Sequence, residues 1–169
     1  MSEYLAAPAL TATTFEPVVV ALTAATLKTV IQVAIPSTTD IRVVGWGVSF
    51  DGATGTAVPL IAHLIDCDNA CTGGTSLTPV SWGNPGATAS LCVGGTAQTM
   101  YNAGAEVSPT TAVRMLDQQH VHPQSGYGVY FPEVRIQPRV APSRFLRIRC
   151  KAPANVNVLP WVLWAEPVI

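Results

Sequence analysis

Charge is scarce in this sequence. Asp, Glu, Lys and Arg make up 11% of its 169 residues, where about 25% is usual for a globular domain. Lysine is scarcer still: only Lys28 and Lys151 are present, so the Lys- and Glu-rich face of a long surface helix cannot be found. No window approaches the ~20 apolar residues of a membrane-spanning helix. Met1-Ser2-Glu3-Tyr4 has no basic character and no apolar run follows it, and Asn-x-Ser/Thr is absent; a protein made and used without secretion is expected. Residues 43–113 contain neither Lys nor Arg. Disorder is excluded, because it needs low hydrophobicity and high charge, whereas 49% of these residues are hydrophobic. So apolar a chain is expected to hide surface against other protein, which points to assembly before chemistry.

What is present reads as β-structure. The length suits a single domain with a core of its own. The 13 glycines and 14 prolines are spread through the chain, as expected for short strands separated by turns. Residues 27–35 alternate, with Leu27, Thr29, Ile31, Val33 and Ile35 on one face. After the turn Pro36-Ser37-Thr38-Thr39-Asp40, residues 41–50 are apolar on both faces, so this strand is expected to be covered on both sides. Within it, Gly45 and Gly47 suggest a bulge or a close backbone approach. Further strands are expected over 58–65, 126–131, 133–140, 145–151 and 156–164. Eight to ten short strands and no convincing helix predict an all-β sandwich or barrel.

Two regions differ. Residues 1–16 show neither period 2 nor period 3.6, and read as a frayed terminus or as an extended N-terminal arm that orders on a neighbouring subunit, with Tyr4, Leu5, Leu10 and Phe15 as its anchors. Residues 17–169 then form the sandwich domain. Within it, 66–109 is a Gly/Thr/Ser-rich insertion of long loops with one or two short strands. Four cysteines, Cys67, Cys71, Cys92 and Cys150, allow two disulfides; without a secretion signal, free buried thiols are the favoured reading.

Charge is unevenly placed. Residues 43–113 carry four acids (Asp51, Asp66, Asp68, Glu106), whereas 114–169 carry seven bases and three acids. A hairpin of 133–140 with 145–151 would align Arg135 and Arg139 with Arg147 and Arg149 on an outer face. Like charges placed opposite each other destabilise a sheet, so this face needs an acidic partner. Three candidates are the acidic loops of the same subunit, an acidic surface on another subunit or protein, and nucleic acid. The last fits worst, because the net charge is -1 and no aromatic residues interleave with the basic ones.

Motifs for catalysis are thin. His120-x-His122 would put two imidazoles on one strand face, as in cupin metal sites, but Gln124, Ser125 and Gly126 stand where the next carboxylate is needed and no histidine follows. Cys67-x-x-x-Cys71 has the spacing of half a zinc site, and His120 and His122 are the one pair that could supply the other half. Gly-x-Ser-x-Gly is absent, and no Gly-rich phosphate loop precedes a helix. No enzyme activity, metal or cofactor is expected. Trp46, Trp161 and Trp164 lie on strands that look buried; Trp82, in the loops, is the one plausible exposed platform for a sugar ring.

The run His122-Pro123-Gln124-Ser125-Gly126-Tyr127, then Arg144-Phe145-Leu146-Arg147-Ile148-Arg149, then Lys151-Ala152-Pro153-Ala154-Asn155-Val156-Asn157-Val158, and the ending from Trp161 to Glu166, taken with the strand 41–50, resembles the small virion proteins of tailed bacteriophages known as decoration or cement proteins. The resemblance implies a jelly-roll-like β-sandwich without catalytic residues. It also implies a homotrimer on the capsid exterior that bridges subunits of the major capsid protein after assembly in the host cytoplasm, often gripping with extended terminal arms. The expectation is therefore a structural virion protein, with neither nucleic acid nor membrane as partner. Tyr4, Leu5, Leu10, Phe15, Arg135, Arg139, Arg147 and Arg149 would form its interface. The alternative is a carbohydrate- or receptor-binding module of a virion appendage, or another minor head or tail protein.

Overall fold

Antiparallel pairing organises nearly everything in the computed structural model, which describes residues 1–8, 18–52, 58–84, 86–92, 99–101, 106 and 113–167. In chain order the strands are β1 (Ser2–Ala6), β2 (Val20–Leu22), β3 (Leu27–Ala34), β4 (Ile41–Phe50), β5 (Leu60–Cys67), β6 (Thr75–Ser76), β7 (Val80–Ser81), β8 (Met100–Tyr101), β9 (Arg114–Val121), β10 (Gly126–Tyr130), β11 (Arg139–Val140), β12 (Phe145–Lys151) and β13 (Val156–Glu166). One 3-10 turn, Val134–Ile136, is the sole helical element among the described residues.

The strands form two sheets. The first runs β10-β4-β13-β1-β7, with β11 also on β4 and β2 also on β13. The second runs β6-β8-β3-β12-β5-β9. Between consecutive long strands the chain crosses from one sheet to the other, except from β5 to β9, which are neighbours in the second sheet. The result is an all-β sandwich. Alternating side chains meet between the layers: Tyr4, Trp46, Val48, Val162 and Trp164 from the first sheet, Val33, Leu60, Leu64, Leu146 and Ile148 from the second. Strands β4 and β12 have the expected bounds, and β3, β5, β10 and β13 lie within two residues of theirs.

Two expectations are corrected. Residues 133–140 do not form a strand. Pro132 precedes the segment, Pro138 lies within it, and neither supplies an N–H to a ladder, so it turns through Val134–Ile136 and pairs only as the short β11, with β4. Strand β12 instead lies between β3 and β5, so the expected hairpin does not exist. Nor do the described residues at the start of the chain form an arm. Residues 2–6 are β1, inserted between β13 and β7, and Tyr4 is buried with its ring 6.3 Å from that of Trp164 and its hydroxyl donating to the Thr88 carbonyl at 2.8 Å. Tyr4 and Leu5 have the period-2 contacts of a strand that the weak pattern of 1–16 concealed. Leu10 and Phe15 lie outside the described residues.

The insertion supplies β6, β7 and β8, and one of its turns is fastened by a buried acid. Glu166 accepts hydrogen bonds from Ser90 Oγ at 2.5 Å, the Leu91 backbone N–H at 2.9 Å and Trp164 Nε1 at 2.9 Å. All four cysteines are free and buried. Burial pushes the Cys67 thiol up to about 11 and raises those of Cys92 and Cys150 as well.

Two outcomes follow from this packing. In the native protein none of the four thiols reacts rapidly with a thiol-specific chromogenic reagent, and all four react once guanidinium unfolds the chain, because nucleophilic attack needs an accessible thiolate. Replacing Glu166 by Ala orphans three donors and lowers stability by about 2–4 kcal/mol, read from the shift in the urea midpoint.

Candidate functional site

The arginines of β12 do point outward, as the alternation of Leu146, Ile148 and Cys150 with Arg147, Arg149 and Lys151 requires. They are largely covered: Arg149 keeps 12% side-chain exposure and Arg147 none. Arg147 is fully buried: its guanidinium donates to the backbone carbonyl of Asn69 and to Asn69 Oδ1, and lies 3.6 Å from Glu106 Oε1. Arg149 Nε is 2.9 Å from the same Glu106 oxygen. The other oxygen, Oε2, accepts from Thr29 Oγ1 at 2.6 Å. Nearby, buried Asp66 takes both Arg114 and Arg144. Of the three acidic partners considered, the chain's own acidic segment is therefore the one that meets these residues. Arg147 and Arg149 are corrected from interface residues to internal clasps, because two like charges on neighbouring rows of a covered sheet need an anion between them.

Arg135 and Arg139 do lie on the surface, at 81% and 61% side-chain exposure. Arg135 pairs with Glu133 across its own turn, and Arg139 pairs with Asp40. His120 and His122 are exposed, and His122 Nδ1 accepts from the Gln124 backbone N–H at 3.2 Å, a turn-stabilising role. Burial, then Arg149 and His120, hold the His63 imidazole below its usual pKa. Among the described residues no three or more His, Cys, Asp or Glu converge as a metal site would require.

A second polar group pins the side of the sandwich where β9 and β10 form the two edges. Asp117 Oδ2 accepts from Trp46 Nε1 at 3.1 Å and from the Tyr127 hydroxyl at 2.8 Å, and Oδ1 accepts from Gln119 Nε2 at 2.8 Å. Burial and the Asp117 carboxylate push the Tyr127 hydroxyl up to about 12, so it serves as a fixed donor. The arrangement locks two edge strands together.

The most unusual surface is the outer face of the first sheet. Its rows place Gly126 beside Ser49 and Leu159, Gly128 beside Gly47 and Trp161, and Tyr130 beside Gly45, Leu163 and Leu5. The glycines make a floor on which two rings lie. A Cβ on Gly47 would sit 2.4 Å from Trp161 Nε1, and one on Gly45 would sit 2.8 Å from Tyr130 Cδ1. The Tyr130 and Trp161 rings are 5.2 Å apart at 32°. Leu163 is buried here yet lies outside the core cluster, and Leu5 and Leu159 are half-buried. Across β1 the apolar row continues into Val80 of β7, and Trp82, whose N–H donates to Glu3 O, stands 57% exposed just beyond. This face was missed as a site. Its signal was the spacing of Gly45-x-Gly47, which suggested a bulge or a close backbone approach but not the ring that makes it, together with Gly126-x-Gly128 on the neighbouring strand.

Comparison with families of known proteins, with curated proteins and with solved structures finds no match.

Two substitutions test these assemblies. Gly47→Ala would drive a methyl into Trp161 and into the Tyr127 carbonyl, 2.7 Å away; it should cost about 1–3 kcal/mol and change the tryptophan emission spectrum. Glu106→Ala leaves two guanidinium groups without their carboxylate and should cost about 3 kcal/mol or more, measured by chemical denaturation.

Proposed function

We propose that this chain is a structural protein of a virion, a decoration or cement protein that sits on the outside of a bacteriophage capsid and bridges subunits of the major capsid protein. The observation that carries the reading is the glycine-floored aromatic face of the first sheet. A chain with 11% charged residues that also presents Tyr130, Trp161, Leu159 and Leu5 together on one sheet face is built to be covered by protein. Strand order adds to it. Numbering the eight long strands β1, β3, β4, β5, β9, β10, β12 and β13 from one to eight, the sheets read 1-8-3-6 and 2-7-4-5, an order that supports the jelly-roll reading, an architecture common in viral capsid and lectin domains. Covering such a face yields about 25 cal/mol per Å² of apolar surface, reduced by the cost of ordering both partners. Repetition of the contact over a shell multiplies a modest affinity. A homotrimer fits this role, with each copy offering the same face.

One feature favours a second reading, a carbohydrate-binding module of a virion appendage. Trp161 and Tyr130 lie side by side on the surface, and Trp82 projects nearby, so sugar rings have faces on which to stack.

Native mass spectrometry and co-sedimentation with expanded heads of the virus that encodes the chain separate the two. The expected result is a trimer that pellets with heads, and a Trp161→Ser/Tyr130→Ser variant of unchanged circular dichroism whose binding falls at least about tenfold, equivalent to about 1.4 kcal/mol. A monomer that ignores heads and binds a glycan array, with loss of that binding in the same variant, would replace the cement reading by the glycan one.

A further inference from the structure

A cavity of about 440 Å³ opens where β13 begins. The end of β2 and the residue after it (Leu22, Thr23), the turn after β4 (Asp51, Gly52) and the start of β13 (Asn155, Asn157) supply most of its wall. Its volume falls within the roughly 300–1,000 Å³ of small-molecule sites.

The polar groups of this cavity are held from behind. The Asn157 backbone N–H and Nδ2 donate to Asp51 Oδ1 and Oδ2, each at 2.8 Å. These bonds hold the Asp51 carboxyl below its usual pKa, so it stays an acceptor. Asn155 Oδ1 accepts from the Ala24 N–H at 2.9 Å, and the Ala25 N–H donates to the Ala152 carbonyl at 2.8 Å, so the turn that begins at Thr23 is tied to the segment that carries Asn155. Part of their bonding capacity is unused. Each Asp51 oxygen keeps a lone pair, and Asn157 Oδ1, Asn155 Nδ2 and the Thr23 hydroxyl have no partner among the described residues. Groups already fixed in place lose little freedom when a ligand meets them.

The unused groups select the class of ligand. Asp51 is the one charged lining residue among those described, and it repels an anion. A cation meets competition: Lys28 donates to the carbonyl of the lining residue Ala21 at 3.1 Å, and Lys151 ends β12 at the same end of the sandwich. A calcium ion needs six to eight oxygens, more than the side chains here can turn to it, and no three His, Cys, Asp or Glu converge among the described residues. No described aromatic side chain lines the cavity, so a nucleobase has nothing on which to stack. An extended peptide turns only every second N–H to one side, about 6–7 Å apart, too sparse for the adjacent acceptors of Asp51 and Asn157. What fits is an uncharged ligand dense in donors. Neighbouring sugar hydroxyls donate to the Asp51 and Asn157 oxygens and accept from Asn155 Nδ2 and Thr23, while Leu22 and Val156 meet the C–H face of the ring.

We propose that this cavity binds a neutral saccharide through vicinal hydroxyl groups, with Asp51, Asn155 and Thr23 as its polar contacts. The site goes beyond the sheet-face reading and uses neither Trp161 nor Tyr130.

The test is an array of neutral and acidic glycans probed with the full-length chain, with its neutral hits measured again by isothermal titration calorimetry with and without EDTA. The expected hits share a terminal neutral sugar with adjacent free hydroxyls and bind equally in EDTA. Affinity should fall at least about tenfold in Asp51→Asn, which removes a charged acceptor, and about fivefold in Thr23→Val, which removes a hydroxyl with no internal bond to lose. The Trp161→Ser/Tyr130→Ser variant should bind these sugars like the wild type while losing heads, so failure of the sheet-face reading and failure of this one are distinguishable. An array without hits, hits confined to acidic glycans, binding that EDTA abolishes, or affinity unchanged in both Asp51→Asn and Thr23→Val would each overturn the proposal. Binding lost in Trp161→Ser/Tyr130→Ser and kept in Asp51→Asn would overturn it as well, and would assign the sugar to the sheet face.

Discussion

Two arginines on the covered outer face of a central strand are tolerable only if an anion lies between them. Glu106 is that anion. Its carboxylate faces Arg147 and Arg149 and takes the hydroxyl of Thr29 from the neighbouring strand, tying the segment between β5 and β9 to the middle of the second sheet. Asp66 does the same for Arg114 and Arg144. Without such pairing, desolvated guanidinium groups would oppose the sheet rather than hold it. The lopsided charge of the chain, acidic in its middle and basic in its last third, is thereby largely consumed within the molecule.

That consumption decides what is left for the surface. With the β12 arginines internal, the outer face of the second sheet is covered around them by Asn69, Cys71 and Glu106, while the outer face of the first sheet presents rings on glycine. Gly45 and Gly47 let Tyr130 and Trp161 lie close against the strands, which gives a low, apolar surface with little side-chain entropy left to lose on contact. Charge that remains exposed is divided between the two ends of the sandwich, with Arg114, Arg135 and Arg139 at one and Asp51 and Lys151 at the other. The outer face of the first sheet is apolar between them.

Much of the fold was legible because burial imposes period 2 on a strand. Residues 145–151 show that pattern cleanly, residues 41–50 read as a strand apolar on both faces, and both fold over those bounds. Buried Cys150 and the enclosed Trp46 and Trp164 follow from the same logic, since alternation turns them to the inner face of their strands, whereas Trp161, also expected inside, lies half-buried on the outer face. Legibility failed where long-range pairing overrides local pattern. Tyr4 and Leu5 belong to a strand only because β13 and β7 lie on either side of them. Alternation across 133–140 suggested a strand, but Pro132 and Pro138 interrupt the backbone donors that a ladder needs. For Arg147 and Arg149, facing outward was readable, but what covers that face was not.

The sequence by itself determined an all-β architecture and a low content of charged residues, because periodicity, composition and turn residues act locally and survive without knowledge of neighbours. Tertiary structure alone decided which arginines are clasps and which are exposed, that the first strand sits inside a sheet, and that Trp161 and Tyr130 meet over Gly47 and Gly45. These depend on which strands become neighbours, and residues brought together from opposite ends of a chain leave no periodic trace in it.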